Sequence, residues 1–280
     1  MKLVYLIVNY NDFTNTNKLI NQIKDYKSID LILVVDNHSK DNSVEKINNL
    51  NYKKVEVIVT EDNKGYGYAI NYGTKHILKK YNDAYVVISN SDIILSNEKD
   101  LNTLVKGLDE KDIGVVGPTI KENGILSRGW KMPTPTNDIL ENISKKNINK
   151  RMYDESHYKG NTSIVDVVSG CFFLMKASII KKANYFDENI FLYYEENIMA
   201  KKLEKLKLKE MIFNNIVFVH NHSKTIDKNI KKLSKYNILK RSQRYFEKKY
   251  NNIGIFKLLL LDITRWITYV LIGIKGIFIK

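Results

Sequence analysis

Val86-Val87-Ile88-Ser89-Asn90-Ser91-Asp92 is an apolar run that ends in a polar knot and a carboxylate. A buried strand that delivers an acidic residue to a sheet edge has this form. In an open α/β sheet, ligands bind just beyond the carboxyl ends of the strands. Asp92 therefore stands where a metal or a ligand would be. Ser, Asn and Asp are also common turn and N-cap residues, so the stretch alone equally permits a simple cap. The surrounding chain decides between the two.

Upstream, strand-like and helix-like stretches alternate. Leu3–Val8 is an apolar run, and Thr14–Tyr26 carries Leu19, Ile20, Ile23 and Tyr26 at helical spacing. Leu31–Val35 is a second apolar run ending at Asp36. Asp41 opens a short helix with Val44, Ile47 and Leu50. Val55–Val59 is a third strand, Tyr66–Tyr81 a helix after a glycine-containing turn, and Tyr85–Ile88 the fourth strand. Such alternation predicts an α/β fold: a Rossmann-like, mainly parallel central sheet flanked by helices. Right-handed crossovers then bring the strand ends to one side. That rim collects Asn9, Asn11 and Asp12, then Asp36 and Asn37, then Asn63 to Gly67, then Asn90 to Asp92. Each is ordinary turn chemistry alone; their convergence on one edge is not.

Downstream, a helix over about 98–108 leads to a strand at Gly114–Pro118. From Lys121 to Ser163 the pattern weakens, with Pro133, Pro135, Gly124 and Gly129. This reads as a long, partly mobile excursion of the kind that forms lids and binding loops. Arg128, Trp130 and Lys131 in it could grip an acceptor, or form a solvated loop. Order returns with Ile164–Val168 and Cys171–Met175. A helix bearing Met199, Leu203 and Leu206 follows Glu195-Glu196, and a late strand, Met211–Val219, ends in His220-Asn221-His222.

The 280 residues are 44% hydrophobic, enough to fill a large core. Lys and Arg outnumber Asp and Glu by 45 to 31, a net charge of +14 that suits an anionic partner. The single cysteine, Cys171, excludes a disulfide framework and a cysteine-rich zinc site, which fits a reducing cytoplasm. The N-terminus enters a strand at once, so no secretory signal peptide is expected.

Residues 226–280 are expected to form a helical extension on a catalytic unit spanning 1–225. The first part is strongly basic, with Lys231, Lys232, Lys235, Lys240, Arg241, Arg244, Lys248 and Lys249. No nucleic-acid recognition motif accompanies it. Phe256–Lys280 is apolar but interrupted by Lys257, Asp262, Arg265, Lys275 and Lys280, short of the roughly 18 uncharged residues a spanning helix needs. At about 100° per residue these charges share an arc of roughly 140°. Ile263, Trp266, Val270, Ile274 and Ile277 face the other way. Such a helix can lie in an anionic membrane interface, or dock on the protein core or on a second copy in a homo-oligomer. The first option predicts a peripheral protein on the inner face of the cell membrane.

Several blocks together resemble one family, the inverting nucleotide-sugar glycosyltransferases of family 2, in particular a rhamnosyltransferase-like branch that builds surface polysaccharides. They are Ile7-Val8-Asn9-Tyr10-Asn11, Val34-Val35-Asp36-Asn37-His38-Ser39-Lys40-Asp41, and Asn63 through Gly73. Ser89-Asn90-Ser91-Asp92 matches next, followed by Ser169-Gly170 with Phe186-Asp187-Glu188 through Glu195-Glu196, and lastly His220 through Lys224. The match covers roughly residues 3 to 225. It implies a GT-A fold and transfer of one sugar from a nucleotide-linked donor to a lipid-linked or glycan acceptor. Two departures stand out. The metal block reads Asn-Ser-Asp, with one carboxylate, and the base block reads Glu-Glu-Asn where Glu-Asp is common in the family.

Carried over by the resemblance, Asp92 and His220 are the expected ligands of a divalent cation, Mn²⁺ or Mg²⁺, with His222 in reserve. A histidine nitrogen favours manganese. Alternatively, His220 is a strand-end ring bonded to backbone. Glu196 is the expected base, with Glu195 the one-residue alternative; both could instead be ordinary first-turn helix carboxylates. Asp36 would accept a hydrogen bond from a pyrimidine ring N–H, which uracil and thymine offer, so UDP- or dTDP-sugars are favoured; its simple alternative is an Asx turn. Gly65 would admit the donor to backbone, and Asn9, Asn11, Asn63, Asn90 and Gly170 complete the nucleotide-sugar site. Gly65-Tyr66-Gly67 lacks the third glycine of the dinucleotide fingerprint and follows the third strand, which argues against NAD. Two rivals remain from residue types: a non-catalytic nucleotide-sugar-binding or scaffold protein of a glycan-assembly complex, and a nucleotidyltransferase on a similar sheet, against which the late acidic block argues.

Overall fold

The computed structural model describes residues 1–144, 150–221 and 232–278, with the side chains of the last helix described to residue 272. The first half follows the alternation closely: β1 (Lys2–Asn9), α1 (Phe13–Ile23), β2 (Leu31–Asp36), α2 (Ser43–Asn48), β3 (Val55–Val59), α3 (Tyr66–Lys80) and β4 (Ala84–Asn90). Then come β5 (Ile93–Ile94), α4 (Glu98–Gly107), β6 (Ile113–Glu122), β7 (Ile125–Ser127), α5 (Pro135–Ile143) and β8 (Thr162–Val165). The last elements are β9 (Phe172–Lys176), α6 (Ala177–Lys182), α7 (Glu195–Lys205), β10 (Lys209–His220), α8 (Lys232–Lys249) and α9 (Ile255–Phe278).

One sheet runs in the order β3-β2-β1-β4-β9-β6-β10-β5, with β7 on β6 and β8 on β10. The pairs β3–β2, β2–β1, β1–β4 and β6–β10 are parallel. Antiparallel pairing is confined to β9 and to the short strands β5, β7 and β8. All six residues of β2 are buried, as a strand covered on both faces must be. Alternation sorts side chains between two cores. Tyr5, Ile7, Ile32 and Val34 join Leu19, Ile20 and Ile23 of α1 and Leu101 and Leu104 of α4. Val4, Leu6, Leu33 and Val35 join Ile70 and Ile77 of α3 and Met199 and Leu203 of α7.

Three departures from the sequence reading matter. β6 runs to Glu122 rather than stopping at Pro118, because β10 pairs alongside Pro118, Thr119, Ile120 and Lys121. The 121–163 excursion contains β7, α5 and a 3-10 turn at Glu155–Tyr158. α5 is started by Thr134, whose side chain caps Asn137 N–H at 3.3 Å, with proline in the first turn. Finally, α8 is packed against the preceding unit: its Phe246, 0% exposed, shares a small core with Ile190, Tyr194 and Ile198. The expected boundary at 225–226, and with it His222, Ser223 and Lys224, lies outside the described residues.

Toward the protein α9 buries Leu258 and Leu261 and makes a set of polar bonds to α5 and α8. Thr264 and Thr268 bond Asn142 of α5, Arg244 of α8 bonds Asp262 at 2.9 Å, and Tyr236 donates to the Arg265 carbonyl. Phe256, Leu259, Ile263, Trp266, Ile267 and Leu271 point outward, Trp266 at 67% exposure. No helix among the described residues is long and apolar enough to cross a membrane.

Candidate active site

The strand register brings the first polar residues together. Asn9 lies beside Asp36, and Val8 beside Asn90. Asn9 and Asp36 are both 0% exposed. The Asn9 amide donates to Asp36 Oδ2 at 2.7 Å, while Ser39 donates its backbone N–H to Oδ1 at 2.8 Å and its hydroxyl to Oδ2 at 2.7 Å. The Thr16 hydroxyl donates to the Asn9 side-chain oxygen Oδ1 at 2.7 Å. Asn11, at φ 51°, accepts from Lys40 N–H with its side chain. Asn9, Asn11 and Asp36 thus form a tied layer beneath the rim rather than the wall of a cavity. Asn63 stands at the wall, its side-chain oxygen accepting from the Asn37 amide at 2.9 Å and Gly65 N–H at 3.2 Å.

Gly65 is required sterically. Its φ is +111°, and a Cβ there would meet the Phe191 carbonyl oxygen at 2.2 Å. That carbonyl accepts Tyr66 N–H at 3.0 Å, so the α3 start is locked to the loop ahead of α7.

β5 explains how Asp92 meets His220. Ile93 pairs antiparallel with His220 itself, and Asn221 N–H bonds the Asp92 carbonyl at 3.0 Å. His220 Nε2 then lies 3.2 Å from Asp92 Oδ1, and Nδ1 lies 3.2 Å from Glu122 Oε2. Burial works against a charged ring, but bonds to Asp92 and Glu122 outweigh it and raise the His220 pKa. Asp92 is 6% exposed, and its Oδ2 is buried with no hydrogen-bond partner among the described residues. A carboxylate oxygen of that kind is what a cation would take up. Oxygen and imidazole donors suit Mn²⁺, and Mg²⁺ can be held by one or two carboxylates plus phosphate oxygens. The residues present therefore fit an ion shared with a diphosphate. Among the described residues no group of three His, Cys, Asp or Glu forms a closed metal cage.

The glutamates come from the first turn of α7. Tyr193 and Tyr194, just before it, adopt left-handed backbone conformations at φ 70° and 72°, which β-carbon-bearing residues rarely do. Glu195 is 5% exposed, and its Oε1 is buried with no hydrogen-bond partner among the described residues. Burial, then the charge of Glu196, pushes the Glu195 pKa up to about 8. Burial also raises Glu196, opposed by backbone bonding and by the Arg151 charge. A Cβ on Gly170 would stand 3.3 Å from Glu196 Oε2, so glycine leaves that carboxylate room.

These groups surround one cavity of about 460 Å³, lined by Asn63, Gly65, Asn90, Asp92, Gly170, Glu195, Glu196 and His220 among others. Trp130 also lines it, its indole N–H fixed by Asn197 Oδ1 at 2.9 Å. Arg128 and Lys131 are engaged elsewhere, Arg128 with Glu155 and Lys131 over the Tyr153 ring.

The model for glycosyl transferase family 2 matches residues 5–183. The chain belongs to that family. A curated relative, the low-salt glycan biosynthesis hexosyltransferase Agl10 of Haloferax volcanii, is 25% identical over 195 residues, covering 69% of this chain. The chain spans 59% of that relative's length. Among solved structures, a mannosyltransferase from Pyrobaculum calidifontis in complex with GDP-Man and Mn²⁺ aligns with TM-score 0.61 at 15% identity, over 92% of this chain and 68% of that one. TarS 1–349 of S. aureus aligns at 0.57 and 16% identity, over 93% of this chain and 69% of that one. GalNAc-T7 with UDP, GalNAc and Mn²⁺ aligns at 0.62 and 14%, over 90% of this chain and 49% of that one. At these identities the likeness is one of fold, and the fold is GT-A.

Within this family 2 chain, some residues of the late blocks do not reach the cavity. Asp187 instead accepts from Tyr245, Lys249 and Tyr250 at 2.9, 2.9 and 2.6 Å, tying the end of α8 to the sheet unit. Lys240, read as a surface charge, is 8% exposed and bonds Gln243. Glu122 was missed because the strand was read as ending at Pro118; continuing it through Thr119-Ile120-Lys121 delivers the glutamate.

Proposed function

We propose that this family 2 protein is an inverting glycosyltransferase. It moves one hexosyl or rhamnosyl-like unit from a UDP- or dTDP-sugar to a hydroxyl of a lipid-linked or polysaccharide acceptor. One observation carries the reading: the Glu195–Glu196 and Asp92–His220 pairs line the same cavity, together with Asn63, Gly65 and Asn90.

Inversion needs a base on the sugar face opposite the leaving group. Two adjacent buried carboxyls whose environments differ divide the roles of proton holder and base. Glu196 is the base: it is less buried than Glu195, it opens beside Gly170, and Arg151 favours its charge. It accepts the proton of the acceptor hydroxyl as the oxygen attacks the sugar carbon. Glu195, which burial and the Glu196 charge push up to about 8, keeps its proton near neutral pH. Asp92 and His220 would hold a divalent cation, which when bound supplies positive charge to the leaving diphosphate. Glu122 fixes the His220 ring from its far side. Asp36, the expected partner of a pyrimidine N–H, is 0% exposed and is held by three bonds from Asn9 and Ser39, so the UDP or dTDP preference is carried by the family resemblance alone.

The test is a thermal-shift panel of UDP-, dTDP- and GDP-sugars with Mn²⁺ or with chelator. A UDP- or dTDP-sugar should raise the midpoint, and Mn²⁺ should enlarge the shift. A panel in which no nucleotide sugar binds under either condition contradicts the reading.

The acceptor context is proposed from α9. Toward the protein it turns Leu258 and Leu261 together with Thr264 and Asp262, while a second apolar side, with Trp266 and Phe256, faces outward, where a helix that only covered a core would be polar. Exposed Arg241, Lys248 and Lys257 accompany it. Two copies, each at +14, would repel across such a face, whereas anionic lipid would attract it. The protein then works on the cytoplasmic membrane surface. Ile263→Glu with Trp266→Glu should abolish co-sedimentation with phosphatidylglycerol vesicles; unchanged sedimentation refutes the assignment.

A further inference from the structure

The turn that presents Glu195 and Glu196 is held in an unusual way. Tyr193 and Tyr194 are consecutive non-glycine residues with left-handed φ. Such geometry persists only where the surroundings over-determine it, and it concentrates at functional sites. Here the surroundings are identifiable. The Tyr194 hydroxyl donates to Asp138 Oδ2 of α5 at 2.9 Å. Asp138 is 0% exposed and is paired with Arg151, which also grips Glu141. On the other side, α8 closes the turn. The Ser242 hydroxyl donates to the Leu192 carbonyl at 2.8 Å, and the Phe246 ring packs on Tyr194 at 5.3 Å. Glu247, one residue on, is 0% exposed and close to Asp138.

We infer that Tyr194, Asp138 and Arg151, closed from behind by Ser242 and Phe246 of α8, form a positioning network that sets the aim of Glu196 into the cavity. The network lies behind the reacting groups and touches no substrate; it acts through the turn. It rests on the reading of Glu196 as the base. The chemistry favours it for three reasons. Tyr194 supplies the carbonyl that accepts Ile198 N–H at 2.9 Å, the first turn of α7, so moving Tyr194 rotates the helix start. The Arg151 charge acts on Glu196 and favours that group's ionised form. The buried charges are matched: Arg151 and Lys240 stand against Asp138 and Glu141, and a protonated Glu247 can donate to Asp138, because two facing buried carboxyls do not both ionise. The consequence is that residues 232–249, outside the stretch matched to the family, are part of the catalytic apparatus of this chain.

Tyr194→Phe removes one oxygen and keeps the ring on Phe246, and Ser242→Ala removes the independent grip from α8. Both are assayed for nucleoside diphosphate release from the donor, with kcat expressed per donor-binding site so that unfolded protein does not count. Each should lower kcat about 10- to 100-fold, the cost of a small misplacement of a catalytic group, with donor KM within twofold of wild type. Arg151→Lys should retain more kcat than Arg151→Met. Unchanged kcat in both Tyr194→Phe and Ser242→Ala, alongside an inactive Glu196→Gln, overturns the network and leaves the base assignment standing. An active Glu196→Gln overturns the base assignment and the network with it.

Discussion

The two sides of the cavity treat buried polar groups in opposite ways. On the side built from the ends of β1, β2 and β3, polar groups bond one another. Asn9, Thr16, Asp36 and Ser39 form one closed set, and Asn37, Asn63 and Gly65 another. On the side built from α7, the end of β10 and the turn after β4, polarity is buried without being used up. Asp92 Oδ2 and Glu195 Oε1 have no hydrogen-bond partner among the described residues, and Glu195 and Glu196 resist ionisation. A buried group that bonds its neighbours holds the fold; one that does not is destabilising and is kept for what it will bind or react with. Both kinds look identical as Asp, Asn or Glu in the sequence.

That contrast can be broken by substitution. Asp36→Asn puts an amide where Asn9 and Ser39 both donate, so at least one donor loses its acceptor. Unfolding by denaturant should show a loss of about 2 kcal/mol, whereas Glu196→Gln should be neutral or stabilising because it removes a carboxyl whose charge burial disfavours. Equal destabilisation by the two would erase the difference between the sides. The smaller effect concerns Glu247, whose pKa is pushed up to about 8 from an ordinary 4.5 by burial and by Asp138. A carboxyl raised on folding binds more protons in the folded state between those two values. Its contribution is therefore fully present below about pH 4.5 and is lost as pH rises toward 8. Glu195 adds to the same trend. Wild-type stability should fall by on the order of 1–3 kcal/mol from pH 5 to pH 8, and Glu247→Gln should remove part of that slope, its amide still able to donate to Asp138. An unchanged slope in the variant would take Glu247 out of the buried cluster.

The parallel half of the fold was legible because each strand is an uninterrupted apolar run and each helix an evenly spaced stripe. Register then follows, and with it the meeting of Asn9 with Asp36. What the sequence hid was long-range. β5 is two residues long, too short to carry a pattern, yet its pairing with β10 brings His220 to Asp92. Glu122 was concealed by a proline inside β6. Asp138 and Arg151 lie in a segment whose glycines, prolines and lysines mask α5, and Tyr194, which bonds Asp138, is 56 residues away. The family motif was readable as a string and pointed to Glu196, which lines the cavity, but nothing in it showed that Asp187 anchors α8.

The most direct test of the central claim is nucleoside diphosphate release by Glu196→Gln and Glu195→Gln, measured with donor affinity in the same preparations. Losing the base should cost about 10²- to 10⁴-fold in rate. Glu196→Gln should lose that much while binding donor as wild type does, and Glu195→Gln, which mimics a protonated neighbour, should retain most of its rate. A Glu196→Gln enzyme that turns over at the wild-type rate would contradict the account.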